Sequence, residues 1–274
     1  MLQFIVETPQ RLKEFTDNHY PQASFVFRTL LKDKEIKVNG KKIGEDILLQ
    51  AGDTVAYFLT KKQEEKVPFD TVYQDENVHI IDKTSGVNAE AVYATLKRLY
   101  GNHYKFIHRL DRNTKGLLVF ALNETMEQLL LTAFKNQCVE KRYHALCEGS
   151  FKKPKDILTA YLVKDEEKSL VKIYDTKVQG SEKIITEYAV LEELDGLSKV
   201  EICLHTGKTH QIRAHLAHIS HPILGDNKYG NPTLNKLYNC KRQCLVAKSL
   251  KFNLTGAGIY LNEKIFYSRF NEKD

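Results

Sequence analysis

One stretch of the sequence predicts a polar loop that leads into a buried strand: Ile107-His108-Arg109-Leu110-Asp111-Arg112-Asn113-Thr114-Lys115-Gly116, followed by the apolar run 117–122. The single carboxylate of this loop, Asp111, has four cations near it in sequence: Lys105, Arg109, Arg112 and Lys115. Neighbouring cations favour the charged form of a carboxylic acid, and they also attract phosphate groups. The stretch therefore predicts an ionised carboxylate at the mouth of a strand, in surroundings that suit a nucleic acid.

A structural role for Asp111 is the main alternative. Most aspartates beside arginines form ordinary ion pairs, and charge clusters also occur where no catalysis takes place. From this loop alone, structural ion pairing is the simpler interpretation, although the position of Asp111 before Gly116 and the apolar run favours catalysis.

Composition indicates an ordinary globular protein, since 42% of the 274 residues are apolar and 28% are charged. No apolar run approaches the roughly 20 residues of a membrane-spanning helix. The start, Met1-Leu2-Gln3-Phe4, lacks the features of a secretory signal, so we expect a cytoplasmic protein without a membrane partner. The five cysteines are an odd and scattered set, which indicates free thiols rather than a disulfide framework.

The chain is expected to have two domains. Residues 61–70 are strongly charged and contain Pro68, which is typical of a linker. Charges cancel in residues 1–60, eight basic against eight acidic, and the net charge of +6 arises in residues 71–274. We therefore predict a small domain at 1–60, a linker at 61–70 and a larger domain at 71–274.

The small domain combines a helix-like spacing at 25–31 with the strong hairpin signal Asn39-Gly40. Its residues 28–42 form a basic segment that could follow a phosphate backbone, although a solvated surface is about as good an interpretation. Residues 1–60, with 37–41 and Gly52-Asp53, resemble the S-four-like RNA-binding domain. The resemblance implies an α/β domain whose RNA contacts are Arg28, Lys32, Lys34, Lys37, Lys41 and Lys42.

The larger domain shows strands in runs, with few helices. Asn123 can cap a helix, and the segment 139–148 alternates so that Lys141 and Tyr143 share one face. A second helix is expected to begin at Thr209, and further strands are expected at 157–163, 169–174, 184–191 and 199–205. This pattern predicts an α+β fold with a mixed, largely antiparallel sheet.

Two further side chains invite a functional interpretation. Tyr143 suits a core tyrosine, but its ring could also stack on a flipped base and its phenol could take part in proton transfer. Arg213 lies one turn into the expected helix and could hold a carboxylate, although a solvent-facing arginine is the simpler interpretation of that segment alone.

Cofactor and metal signatures are absent from the sequence. Five histidines crowd into residues 205–221, but their spacing is not that of a zinc hydrolase and no carboxylate lies between Glu201 and Asp226. No phosphate-binding loop, dinucleotide fingerprint or nucleophile elbow is present. We therefore expect neither a metal nor a cofactor.

Four segments in order resemble the RluA-type RNA pseudouridine synthases over about residues 75–255. They are 108–116, then Lys141-x-Tyr143, then 205–215, and finally 221–226 with Tyr229-Gly230. The resemblance implies the pseudouridine synthase fold with a central active-site cleft, and an enzyme that isomerises uridine in ribosomal or transfer RNA. We expect a monomer that needs no protein partner and no cofactor.

The same resemblance implies roles for individual residues. Asp111 would be the catalytic aspartate, Tyr143 would lie against the uracil, and Arg213 would pair with Asp111. Substrate contacts would come from Arg109, Lys141, His210 and Gln211, with Arg109 entering the RNA stack that the uridine leaves.

Two departures from the family pattern bear on loop shape and substrate choice: Lys115 stands where serine is usual, and 82–88 lacks the usual proline and histidine. A non-catalytic RNA-binding or ribosome-assembly protein that keeps the fold remains the main alternative. A nucleoside glycosidase that uses Asp111 is a weaker one.

Overall fold

The computed structural model describes residues 1–64, 67–165 and 170–273. It divides into two compact units, residues 1–70 with 87–104 and residues 71–86 with 105–274. Within the expected linker, Lys61–Glu64 form one helical turn and a strand begins at Phe69, while 65–66 lie outside the described residues. Residues 87–104, placed in the larger domain by sequence, pack with the first unit.

The first unit is a small α/β structure with a four-stranded antiparallel sheet in the order β1-β6-β3-β4 and a separate β2-β5 pair. Its strands are β1 (Leu2–Ile5), β2 (Gln10–Arg11), β3 (Ile36–Val38), β4 (Lys41–Ile43), β5 (Leu48–Leu49) and β6 (Thr54–Tyr57). Its helices are α1 (Leu12–His19), α2 (Pro21–Phe25), α3 (Phe27–Lys32), α4 (Lys61–Glu64) and α5 (Ala89–Tyr100). Val26 leaves the helical conformation (φ −115°, ψ 14°), so the helix expected at 25–31 is divided between α2 and α3.

The hairpin predicted from Asn39-Gly40 is confirmed. Asn39 and Gly40 have φ angles of 50° and 77°, as a two-residue turn with two left-handed positions requires. The Asn39 side chain also donates to Asp53 (2.7 Å) and accepts the backbone N–H of Thr54 (2.9 Å). This turn therefore fixes the β3–β4 hairpin against the start of β6.

The second unit confirms the α+β prediction with an eleven-stranded, largely antiparallel sheet among the described residues. Its main path runs β13-β12-β14-β15-β11-β16-β10-β8-β7, with β17 on β16 and β9 on β10. The strands are β7 (Phe69–Gln74), β8 (Val78–Lys83), β9 (Lys105–Phe106), β10 (Lys115–Ala121), β11 (Val139–Glu148), β12 (Lys155–Asp165), β13 (Leu170–Tyr174), β14 (Glu182–Leu194), β15 (Leu197–Leu204), β16 (Leu245–Phe252) and β17 (Ile265–Tyr267). The helices are α6 (Glu124–Lys135), α7 (Gln211–His218), α8 (Pro232–Leu237) and a 3₁₀ helix at Gly256–Leu261.

The four later strands expected from the sequence correspond to β12–β15, although Ser169 lies outside the described residues. Asn123 caps α6 as predicted, accepting the N–H of Met126 at 2.9 Å. No helix within the described ranges is long and apolar enough to span a membrane.

The central strand β10 positions the loop that carries Asp111. All seven of its residues are buried, and it pairs antiparallel with β8 and parallel with β16. Gly116 (φ 112°) lies so close to β16 that an added Cβ would be 2.4 Å from the carbonyl oxygen of Ala247. A side chain is therefore excluded at this point, and the loop before Gly116 is held against β16.

Candidate active site

A cleft of about 410 Å³ in the second unit brings together segments that are distant in sequence. Its walls come from the loop 107–114, from β11, and from the segment 204–213 that leads into α7. Seven residues singled out by sequence line it: Arg109, Asp111, Lys141, Tyr143, His210, Gln211 and Arg213. The volume is within the usual range for small-ligand sites.

Asp111 and Arg213 meet in this cleft. The Arg213 Nη1 donates to Asp111 Oδ2 at 2.8 Å, which is the contact that the resemblance implied. The Asp111 side chain keeps 21% exposure, whereas that of Arg213 keeps only 7%. A carboxylate that is partly open to the cleft is thus held by a buried cation.

Asp226 fixes the Arg213 side chain from behind. The Arg213 Nε and Nη2 donate to the two carboxylate oxygens of Asp226 at 2.6 and 2.9 Å, a bidentate pair. Burial disfavours the charged form of Asp226, yet hydrogen bonds from Arg213 and from the N–H groups of Lys228 and Tyr229 hold its pKa below the ordinary value. The guanidinium is therefore locked with Nη1 directed at Asp111.

Asp226 belongs to a segment that resembles a family motif, but the resemblance implied no role for it. The signal in the sequence was the fourth segment of the family resemblance, 221–226 with Tyr229-Gly230. No feature of the sequence says that Asp226 and Arg213, thirteen positions apart, share one ion pair.

The start of α7 differs from the prediction. The helix begins at Gln211, and His210 in a left-handed conformation (φ 54°), rather than Thr209, occupies the capping position. The Gln211 side chain accepts from Thr206 (2.9 Å) and from the N–H of Lys208 (3.1 Å), so it organises the preceding turn.

Gln211 has no hydrogen-bonding capacity left for a substrate. Its amide nitrogen donates to the carbonyl of Ile185 (3.1 Å) and to the hydroxyl of Thr186 (2.9 Å), in addition to the two bonds that its oxygen accepts. The structure gives this buried side chain a supporting role where the sequence suggested substrate contact.

His210 lies beside Asp111 in the cleft. The N–H of Val171 donates to the Tyr229 hydroxyl, and that hydroxyl shares a hydrogen bond with His210 Nδ1, each at 2.9 Å. Burial lowers the pKa of His210, although the charge of Asp111 opposes this, so the neutral ring is favoured at pH 7. The His210 Nε2 lies 3.8 Å from Asp111 Oδ2.

Tyr143 enters the cleft from β11. The pairing of β11 with β16 shifts register between Arg142 and Tyr143, an irregularity of the kind that often redirects a side chain beside an active site. Burial, followed by the charge of Asp111, raises the pKa of Tyr143 well above its ordinary value. The phenol is therefore neutral at pH 7 and can donate a hydrogen bond.

His108 and Lys141 share one wall of the cleft around Phe134. The ring of His108 stacks on Phe134 at 4.5 Å, and its Nε2 accepts the N–H of Val119 at 3.2 Å. Lys141 Nζ lies 5.5 Å from the same Phe134 ring. Burial lowers the pKa of Lys141, and burial, followed by the charge of Lys141, lowers that of His108 to about 3. Arg109, by contrast, is exposed at the cleft edge.

The atypical segment 82–88 supports the Asp111 loop. Lys83 is fully buried, and its ammonium donates to the carbonyl of Arg112 at 3.3 Å. The N–H of Gly86 donates to the same carbonyl at 2.8 Å, and the hydroxyl of Ser85 donates to the carbonyl of Asn113 at 2.9 Å. Although 82–88 lacks the proline and histidine usual in the family, its residues form hydrogen bonds that hold the Asp111 loop.

Among the described residues, one group of three side chains is of the types that bind metal ions, although the sequence did not predict a metal site there. The ligand atoms of Glu187, Cys203 and His205 lie within 4.8 Å of one another. His205 and Glu187 are already hydrogen-bonded to each other at 2.9 Å, and the three residues do not line the cleft that contains Asp111.

Comparisons with known proteins agree with the geometry. Residues 45–218 match the family model described as RNA pseudouridylate synthase. Ribosomal large subunit pseudouridine synthase C of Rickettsia conorii is 32% identical over 257 residues, covering 82% of this chain and 84% of that protein. An uncharacterized RNA pseudouridine synthase of Aquifex aeolicus is 29% identical, covering 84% and 80%. The solved structure of human RNA pseudouridylate synthase domain containing 1 is 26% identical with a TM-score of 0.59, covering 68% and 79%.

Proposed function

Since this chain belongs to the RNA pseudouridylate synthase family, we propose that it converts specific uridines in structured RNA to pseudouridine, with Asp111 as the catalytic carboxylate. The observation that carries this proposal is the Asp111–Arg213–Asp226 arrangement, in which a buried, doubly held guanidinium presents a carboxylate to an open cleft. An ordinary surface ion pair would need no such buried second carboxylate.

The reaction breaks the bond between N1 of uracil and C1′ of ribose, turns the base, and joins C5 to C1′. A base inside a helix cannot reach a cleft of this kind, so the uridine has to leave the stack first. Asp111 then acts as the nucleophile at C1′ or as the base at C2′, and both routes need an ionised carboxylate. Arg213 keeps that charge in place through its hydrogen bond to Asp111.

The remaining cleft residues suit the base and the RNA strand. Tyr143 provides an aromatic face for the uracil and a neutral phenol that donates a hydrogen bond or proton. Arg109, exposed at the edge, is available to fill the space in the RNA stack that the flipped uridine leaves. Lys141 offers its amino group at the wall that Phe134 also lines.

We propose ribosomal RNA of the large subunit as the substrate, ahead of transfer RNA. The names of relatives in Rickettsia and Vibrio, ribosomal large subunit pseudouridine synthase C, support this choice. The test is to incubate the protein with unmodified large-subunit RNA and, separately, with transfer RNA, and to map pseudouridine chemically at single-nucleotide resolution. We expect modification of discrete uridines in the ribosomal RNA.

The same incubation separates the alternatives. A non-catalytic RNA-binding protein would retain the RNA on a filter but form no pseudouridine. A glycosidase would release free uracil, which chromatography detects, and would leave abasic sites. Either outcome would contradict the proposal.

We further propose that the first unit is an S-four-like RNA-binding domain. The return strand β4, with Lys41 and Lys42, lies at an edge of its sheet, and both lysines are exposed. Lys34 directly follows the end of α3, and its side chain lies next to Gly44, which directly follows β4. The lysines at the end of α3 and those of the β3–β4 hairpin therefore lie on neighbouring surfaces. Arg28 and Lys32 extend this surface along α3.

Neutralising this surface should weaken RNA binding and reduce its salt dependence. We expect Lys32→Gln with Lys41→Gln to lower the slope of log K against log[salt] by about 1 to 2, because each lost phosphate contact removes about 0.7 to 0.9. The matched control is Lys61→Gln with Lys62→Gln, two exposed lysines outside the surface. Equal slopes for the two double variants would argue against this surface as an RNA contact.

A further inference from the structure

Two thiols lie side by side in the segment between α8 and β16. The Sγ atoms of Cys240 and Cys244 are 3.2 Å apart, and both residues are free cysteines. Cys240 is half-buried, whereas Cys244 is 2% exposed. The proposed reaction uses neither of them.

The surroundings make Cys240 the more reactive member of the pair. The two sulfurs share a hydrogen bond in which either can be the donor, and the Cys240 sulfur also lies 3.1 Å from the carbonyl oxygen of Arg242. The bond to Cys244 is the main reason that the pKa of Cys240 falls to about 6; burial opposes the shift, whereas the contact with Arg242 and the charges of Lys115 and Lys273 add to it. The same contact, with burial, raises the pKa of Cys244. A thiolate that solvent can reach, next to a second thiol, is the arrangement of a redox-sensitive cysteine and its resolving partner.

Lys115, the first residue of β10, is buried, and its ammonium lies 5.8 Å from the centre of the Phe270 ring. Its charge favours the thiolate form of Cys240, as a smaller contribution than the hydrogen bond between the two thiols.

We propose that Cys240 and Cys244 form a redox modification site that reacts with hydroperoxides and closes to a disulfide. The Cys240 thiolate attacks one oxygen of the peroxide, so that an S–O bond forms while the O–O bond breaks, and the other oxygen takes up a proton and leaves as an alcohol or water. The Cys244 thiol then attacks the resulting sulfenic acid, an S–S bond forms, and water leaves. In total the two thiols lose two electrons and two protons, and one peroxide is reduced.

The segment between the two cysteines is coupled to the loop of Asp111. Gln243 is buried and its amide donates to the Thr114 hydroxyl at 2.6 Å, while the N–H of Thr114 donates to the carbonyl of Asp111 at 3.1 Å. We expect the closing of the sulfurs from 3.2 Å to a bond of about 2.0 Å to shift this segment. The contact between Gln243 and Thr114 links such a shift to the Asp111 loop.

The segment between the two cysteines also contacts residues 224 and 225, next to Asp226, which holds Arg213. The N–H of Cys244 donates to the carbonyl of Leu224 at 2.8 Å. Gly225 lies so near that an added Cβ would be 1.9 Å from the carbonyl oxygen of Arg242, and Asp226 is the next residue. Disulfide formation thus acts on both halves of the Asp111–Arg213 pair, and its effect on catalysis rests on the proposed role of that pair.

The chemical step is tested without reference to activity. The reduced protein is treated with hydrogen peroxide, the remaining thiols are alkylated, and peptides are analysed by mass spectrometry. We expect a Cys240–Cys244 disulfide, with the loss of two hydrogens, to form faster than oxidation at any other cysteine. Cys240→Ser should abolish it, whereas Cys138→Ser, which alters another half-buried thiol, should leave it unchanged. Oxidation that is no faster here than at Cys138 would overturn the proposal.

The coupling is tested on the same oxidised protein. Hydrogen exchange of the peptide 107–116 should change on oxidation and recover with a dithiol reductant, and the Cys240→Ser variant should show no change. Pseudouridine formation should fall by at least about fivefold and recover in parallel, because small displacements in an active site are costly. A disulfide that leaves exchange in 107–116 unaltered would overturn the coupling. If hydrogen exchange in 107–116 changes on oxidation but neither the reduced nor the oxidised protein makes pseudouridine, the proposed function is wrong and the proposed redox site is still supported.

Discussion

Replacing Asp111 with asparagine is expected to lower the rate of pseudouridine formation by at least about 1000-fold, within the range of about 100- to 10,000-fold that one acid–base group contributes. The amide has the same size and can still accept the hydrogen bond from Arg213 Nη1. It carries no charge, however, so it can neither attack C1′ nor remove a proton from C2′. The measurement is single-turnover conversion of a mapped uridine with enzyme in excess.

The matched control for this variant is Asp175→Asn. Asp175 is an exposed carboxylate that pairs with His218, so the same chemical change is made outside the cleft. We expect wild-type rates for the control, and unchanged RNA affinity for both variants. Residual activity of Asp111→Asn within tenfold of the control would contradict the catalytic role of Asp111.

Asp226→Asn is expected to give the largest loss of stability, about 3 to 5 kcal/mol in the free energy of unfolding, because it leaves the buried Arg213 charge without its bidentate partner. We expect pseudouridine formation to fall by at least about tenfold as well, since Arg213 would no longer be held with Nη1 at Asp111. Urea denaturation measures the first effect. Single-turnover assays at a temperature where the variant is folded measure the second.

Acid sensitivity provides a second readout for Asp226. Its pKa is lowered in the folded protein from the ordinary value of 3.8, so its contribution to stability is present above that value and is lost as the pH falls through the lowered pKa. The variant has no such group, so its stability deficit relative to wild type should narrow below pH 3.8. A deficit that stays constant with pH, or a folded variant with wild-type rates, would contradict the positioning role.

The two local patterns that correctly predicted structure, a hairpin turn and a helix cap, depend on interactions between residues close together in sequence. Asn39-Gly40 predicted its hairpin because few other residues accept two left-handed positions in succession. Asn123 predicted the start of α6 because its side chain satisfies a helix N–H that has no other partner. The predicted cap at Thr209 was wrong for a related reason. The side chain of Gln211, and not that of Thr209, accepts a backbone N–H of this turn, that of Lys208.

By itself, the sequence determined the α+β class, the family and the presence of Asp111, Tyr143 and Arg213, because these follow from residue types at short spacings. Only the tertiary structure decided that Asp226 locks Arg213, that Gln211 bonds to Thr186, and that Gln243 bonds to Thr114 in the Asp111 loop. The partners in these contacts lie 13, 25 and 129 positions apart in the chain. Residue types at short spacings do not determine such contacts, because only the folding of the whole chain brings these side chains within hydrogen-bonding distance.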